Sequence, residues 1–259
     1  MDLGIAGRKA IVCASSKGLG RACALALAEA GCDVVVNGRD AVALEAARAE
    51  IVRLTGAKVV AVAADLSTRD GRARLLAACP QPDILVNNNG GPAPRDFRAL
   101  TEEMLIAGLQ ANMLAPVALI KAVLDGMVAR KFGRIVNITS SSVKMPLAGL
   151  DLSSGARAGL TAFLAGIARE VAGANVTINQ LLPGSFDTDR LKASGERLAA
   201  LRGIDIETLR AERQKAIPAR RFGDPREFGQ TCAFLSSAQA GYITGQNILI
   251  DGGAFPGAF

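Results

Sequence analysis

Lys9–Gly20 reads KAIVCASSKGLG, and the fold is read outward from it. Lys9–Ala14 is a short apolar run, as expected of a strand covered on both faces. Ala14-Ser15-Ser16-Lys17-Gly18-Leu19-Gly20 is a turn that opens a helix over Gly18–Ala30, with Gly31 as its C-terminal cap. Amides at a helix N-terminus attract anions, and glycines let a phosphate approach the backbone closely. The turn therefore predicts a nucleotide cradle between the first strand and the first helix. Its last two glycines keep a dinucleotide-type spacing, while Ala14 stands where a first glycine is expected. No Lys-Ser/Thr pair follows a glycine, so it is not a Walker loop.

The same alternation continues along the chain. Strands are expected over Asp33–Val36, Lys58–Ala63, Asp83–Asn87, Arg134–Ile138, Asn175–Leu181 and Asn247–Ile250. Helices are expected over Ala41–Leu54, Thr68–Cys79, Thr101–Arg130 and Leu152–Ala172, with Pro116 marking a kink or seam in the third of these. Strands alternating with helices imply right-handed crossovers and a parallel sheet covered on both faces. Ligands on such sheets bind beyond the carboxyl ends of the strands, at the switch point.

Composition narrows the function. The 259 residues suit one α/β unit, and 50% apolar with 21% charged residues excludes a disordered chain. Nine Phe, one Tyr and no Trp leave little to stack on bases, so no nucleic-acid partner is expected. The absence of His removes Ser-His-Asp and Cys-His catalysis and most catalytic zinc sites; no metal is expected. Five scattered cysteines without a CxxC pair point to reduced thiols and a cytoplasmic location. No signal-peptide layout and no apolar run approaching ~18 residues point away from a membrane. The net charge is +6, and Asp187–Arg226 holds ten basic and seven acidic residues. That stretch reads either as a solvated helical face or as an attractor for an anionic substrate or carrier.

The strand ends carry the remaining signals. Asn37-Gly38-Arg39 follows the second strand. A carboxylate there would hold the ribose 2′-hydroxyl of NAD. Here Arg39 and Lys17 instead suit a 2′-phosphate, so NADP(H) is the expected cofactor; the alternative is that Arg39 merely pairs with Asp40. Asp65-Leu66, Asn87-Asn88-Asn89-Gly90-Gly91 and Pro183-Gly184-Ser185-Phe186-Asp187-Thr188 follow later strands. Each alone would pass as an ordinary turn. Together they mark one rim.

With these segments, Asn112, Gly133–Ser140 (GRIVNITS) and Tyr242–Gly253 (YITGQNILIDGG), the chain resembles the short-chain dehydrogenase/reductase family over essentially its whole length. It is most similar to the β-ketoacyl-(acyl-carrier-protein) reductase branch. The resemblance implies a Rossmann-type, three-layer, doubly wound parallel sheet in a single domain, 1–259. It also implies NAD(P)(H), which Lys17 and Arg39 narrow to NADP(H), and a homodimer or homotetramer, expected to be built partly on the long apolar helices Thr101–Arg130 and Leu152–Ala172. It implies cofactor contacts along Ala14–Gly20 and at Asp65, Leu66, Asn88, Gly90, Pro183 and Gly184. Nicotinamide contacts from Phe186 and Thr188 and a substrate lid over about 189–216 are further implications.

The departure falls at the chemical centre. The family's catalytic set is Asn, Ser, Tyr and Lys. The first two correspond to Asn112 and Ser140, but the Tyr and Lys positions hold Ser153 and Arg157. No shift in alignment repairs this, because the one Tyr is Tyr242 and no Lys lies between Lys144 and Lys192. Residues four apart share a helix face, so Ser153 and Arg157 are expected to be neighbours. Arg157 is expected to hold the nicotinamide ribose and to supply positive potential near a developing alkoxide. Three functions stay open. One is a carbonyl reductase or alcohol dehydrogenase with a rebuilt proton relay, using water, Lys144 or Asp151. The second is a non-catalytic NADP(H)-binding protein or hetero-oligomer subunit. The third is a non-redox lyase on the same fold.

Overall fold

The computed structural model describes residues 2–258, so the two end residues of the expected 1–259 domain lie outside the described residues. Seven strands form one all-parallel sheet: β1 (Lys9–Val12), β2 (Asp33–Gly38), β3 (Val59–Ala63), β4 (Ile84–Asn87), β5 (Gly133–Ile138), β6 (Val176–Pro183) and β7 (Asn247–Ile250). Their spatial order is β3-β2-β1-β4-β5-β6-β7. The order reverses direction between β1 and β4, and this switch point opens a crevice beyond their carboxyl ends. The β5 and β6 interiors are buried throughout, as strands covered on both faces must be.

Helices α1 (Gly18–Glu29), α2 (Ala41–Thr55) and α9 (Pro225–Leu235) cover one face. Helices α3 (Arg69–Ala78), α5 (Ala115–Ala129) and α6 (Asp151–Val171) cover the other. Leu27, Val36 and Phe228 sit at the centre of the first layer, and Leu119, Met127 and Leu160 at that of the second. Helices α7 (Asp189–Arg202) and α8 (Ile206–Ala216) fill the span expected as a lid.

Several boundaries differ from the sequence expectation. β1 stops at Val12 because Ala14 takes a left-handed φ of 44°, which a strand cannot hold. β2 runs on to Gly38, drawn out by pairing of Asn37 and Gly38 with Val62 and Ala63. α9 was not expected at all. Its start is nonetheless written in Asp224 and Glu227, which form a reciprocal capping box around Pro225.

The expected Thr101–Arg130 helix is α4 (Glu102–Leu109), a π-helical turn over Gln110–Leu114, and then α5. Pro116 accounts for the seam, since it has no amide hydrogen to return to the Asn112 carbonyl. The joined stretch Glu102–Ala129 spans 28 residues and is long and apolar enough to cross a membrane by length and composition. This corrects the expectation that no stretch approaches a span. Isolated polar residues such as Gln110 and Asn112 break the apolar run without lowering its average enough. Its Leu119, Ile120, Val123 and Met127 are buried against the sheet, while Leu105, Ile106, Leu109 and Leu114 are exposed.

Candidate active site

The turn after β1 and the turn after β4 face each other across the switch point. Cys13 N–H donates to the Val86 carbonyl at 2.9 Å, and the Asn88 side-chain amide donates to the Ala14 carbonyl at 3.1 Å. The left-handed Ala14 costs about 1–2 kcal/mol relative to glycine, and the turn holds it regardless. Gly20 sets the depth of the cradle. A Cβ there would lie 2.3 Å from the Ala14 carbonyl oxygen and 2.8 Å from the Asn88 amide nitrogen. Any side chain at this position would push the turn and the helix apart.

A cavity of about 370 Å³ runs from this turn along the rim. Ala14, Lys17, Gly18, Leu19, Arg39, Asp65, Leu66, Asn88, Gly90 and Thr188, all expected at the cofactor site, line it. At the β2 end no carboxylate waits for a ribose. The Asn37 amide is buried and spent, donating to the Val62 and Ala64 carbonyls at 2.9 and 3.1 Å. Among the described residues Arg39 and Lys17 make no ion pair. Asp40 is not the partner of Arg39; it caps α2 by accepting from the Val42 and Ala43 amides. Asp65 accepts from the Ser67 amide and hydroxyl, which hold its carboxyl below the usual range.

Other expected contacts do not line this cavity. Ser15 is fully buried and turned inward, donating to the Val12 carbonyl at 2.7 Å and accepting from the Asn37 amide at 3.0 Å. It braces the turn. Ser16 packs against Gly38 instead. Gly20 acts by its lack of a side chain. Pro183 and Gly184 end β6 beside Ile250 and Asp251. The Phe186 ring is core, meeting Phe228 edge-on at 5.3 Å, so only its backbone remains available to a ligand.

At the other end of the rim stand the four residues expected to do chemistry. Asn112 lies in the π-helical turn; its amide donates to the Gly108 carbonyl at 3.3 Å, and its buried side-chain oxygen has no partner. Ser140 follows β5 and accepts from the Ser142 amide at 3.1 Å and the Ser142 hydroxyl at 2.9 Å. Arg157 is buried and sits one helical turn after Ser153. Its Nε donates to Ser153 Oγ at 3.2 Å, Nη1 to the Ile138 carbonyl at 2.7 Å, and Nη2 to the Asn89 carbonyl at 3.2 Å. Burial, with Arg190 adding like-charge repulsion, pushes its pKa down to about 10, so it stays cationic near neutrality. Both serines act as acceptors; among the described residues neither hydroxyl proton has an acceptor. Lys144 points its ammonium over the Phe255 ring at 5.7 Å, and Asp151 is exposed in the first turn of α6. Neither residue is brought to the serines by any hydrogen bond. No cluster of metal-ligating side chains occurs among the described residues.

Residues 13–254 match the family model described as enoyl-(acyl carrier protein) reductase. The chain belongs to the short-chain dehydrogenase/reductase family. It is 32% identical over 252 residues to the NADPH-dependent reductase BacG of Bacillus subtilis, covering 95% of this chain and 97% of that protein. It is 32% identical over 257 residues to 3-oxoacyl-[acyl-carrier-protein] reductase FabG of Vibrio cholerae, covering 98% and 99%. A solved structure of L-sorbose reductase from Gluconobacter frateurii, with NADPH and L-sorbose, superposes with a TM-score of 0.92 at 28% identity. That likeness covers 97% of this chain and 98% of the other.

Within this short-chain dehydrogenase/reductase, two site residues escaped the sequence reading. Asn89, quoted above only as part of a rim turn, donates to the Ala111 carbonyl at 3.0 Å and ties the β4 turn to the π-helical turn beside Asn112. Arg190 reaches from the start of α7 to the Gly91 carbonyl at 3.4 Å. The signal for Arg190 was in the sequence: a cation in a helix's first turn opposes the helix dipole and needs another reason to be there.

Proposed function

We propose that the protein is an NADP(H)-dependent oxidoreductase that interconverts a carbonyl compound and its alcohol, with serine and arginine replacing the family's phenol and lysine. The observation that carries this reading is the cradle itself. Gly20 leaves room that a single Cβ would fill, and two cations that make no ion pair among the described residues, Lys17 and Arg39, line the cavity where a 2′-phosphate would lie. The names of the relatives, NADPH-dependent reductases among them, support the same cofactor.

When bound, the nicotinamide supplies or accepts the hydride at the substrate's carbonyl carbon. The chain's own residues orient the substrate and handle charge. Ser140 and Ser153 each hold a hydroxyl whose oxygen already accepts a bond, leaving the proton free for the substrate oxygen. Arg157 supplies positive potential behind Ser153 and gives up no proton near neutrality. The proton then returns to the serines from solvent. We further infer a homodimer or homotetramer, supported by the exposed Leu105, Ile106, Leu109 and Leu114 beside the exposed Phe163 of α6. We assign α7 and α8 as the lid within one domain. The five buried, unpaired thiols support a reducing cytoplasmic setting.

Calorimetric titration and a turnover assay test the reading together. NADP⁺ is expected to bind more tightly than NAD⁺, and Arg39→Ala to weaken NADP⁺ by about tenfold or more with NAD⁺ little changed. Ser140→Ala is expected to abolish NADPH-dependent ketone reduction while sparing NADP⁺ affinity. Tight NADP⁺ binding without turnover of any carbonyl or alcohol would favour the non-catalytic reading.

A further inference from the structure

Arg190 lines the end of the 370 Å³ cavity, Arg157 is buried behind it, and no carboxylate of the described residues pairs with either. Asp187, three residues before Arg190, is occupied by Arg210 at 2.7 Å. Asp189 lines the cavity but makes no ion pair. The Arg190 guanidinium is turned back over Gly91 toward the α6 face. A Cβ on Gly91 would lie 3.2 and 3.5 Å from its two terminal nitrogens and 3.3 Å from Ser153 Oγ. The guanidinium and the serine hydroxyl therefore converge on the face that Gly91 leaves bare. One weak contact, to the Gly91 carbonyl, uses one of the five N–H donors of Arg190. Behind Ser153, Arg157 is close enough for the two cations to repel. Arg190, with donors unspent at the cavity end, and the positive potential of Arg157 behind it favour an anion there.

We propose that Arg190 is a specificity-determining residue that holds the carboxylate of a short oxo acid, placing the neighbouring ketone oxygen at the Ser153 hydroxyl. The inference rests on the carbonyl-reductase reading and names its substrate class. Arg190 Nη2 and Ser153 Oγ lie 3.2 and 3.3 Å from that one point beside Gly91, so the two donor groups are no more than about 6.5 Å apart. The carboxylate and the ketone are therefore adjacent or one carbon apart. A neutral ketone leaves Arg190 without a partner, and a long acyl chain places its charge elsewhere.

The probe is acetoacetate against its methyl ester, titrated into the complex of the full chain with NADP⁺, where neither ketone can be reduced. Acetoacetate is expected to bind the native complex about tenfold or more tighter than the ester. Arg190→Met is expected to erase that preference, leaving the ester's affinity and the NADP⁺ affinity within about twofold. Equal binding of acid and ester by the native complex overturns the proposal. So does a loss of about tenfold or more in NADP⁺ affinity in Arg190→Met, which would make Arg190 a clamp on the cofactor's phosphates. Turnover separates the two claims. If Arg190 governs acetoacetate binding but NADPH is consumed with neither compound, the reductase reading fails and the anion site stands. If NADPH is consumed with the ester while the acid has no advantage, the reverse holds.

Discussion

Two buried arginines clasp opposite ends of β5. Arg134, at its start, donates to the Ser237, Gly133 and Asn175 carbonyls and to the Asn175 side chain, and lies over the Phe132 ring at 4.4 Å. Arg157 grips the far end through the Ile138 carbonyl. Burial pushes the pKa of each down to about 10, and among the described residues neither has a carboxylate partner. They differ in what surrounds them. Arg134 is enclosed by backbone acceptors and an aromatic face, which leaves it nothing to do but hold. Arg157 touches a serine whose proton is free; that serine lies beside Gly91 at the edge of an open cavity, and Arg190 is near enough to repel Arg157. Burial and satisfied donors are thus common to a brace and to a site. The unspent hydroxyl and the open space make the difference.

Breaking each arginine separates the roles. Arg157→Met is expected to lower the turnover number by roughly 10²–10³, the usual cost of losing a positively charged stabiliser of a developing oxyanion. NADP⁺ binding then measures what remains of the cradle. Arg134→Met removes donors to the Ser237, Gly133 and Asn175 carbonyls, the last of which keeps the Gly133 amide, and is expected to cost about 1–3 kcal/mol in denaturant unfolding. The folded fraction should keep its turnover number. The smallest change is Arg157→Lys, which keeps the charge and loses the fork. A drop of only about tenfold in turnover would assign the effect of Arg157 to its charge; the full loss seen with Met would assign it to the fork.

The sequence discloses the sheet, the switch point and the cradle because their signals are local. KAIVCASSKGLG carries its own strand, turn and helix start, and Gly20 is readable as a close approach. It also placed Ser153 beside Arg157, since helical spacing alone determines that contact. What it missed depends on direction or distance. Which way Ser15 and Phe186 point is decided by β2, β3 and α9, none of which is near them in the chain. The extra length of β2 comes from pairing with β3. α9 begins where the stretch read for its charge ends, and its capping box and Pro225 went unread. Arg190 reaches Gly91 across 99 residues of chain, a contact that no local pattern shows.

The central claim is that no phenol or lysine holds the transferred proton, and that an Arg157 charged across the neutral range stands behind a serine hydroxyl. The pH dependence of the turnover number, at saturating NADPH and ketone, tests this most directly. Arg157 is active as the cation. Its folded pKa of about 10 leaves it charged below that value and discharges it above. The account predicts a turnover number that is level from about pH 6 to about pH 9 and falls as the pH nears about 10. A bell-shaped profile centred near neutrality, or a tenfold fall per pH unit across that range, would contradict it.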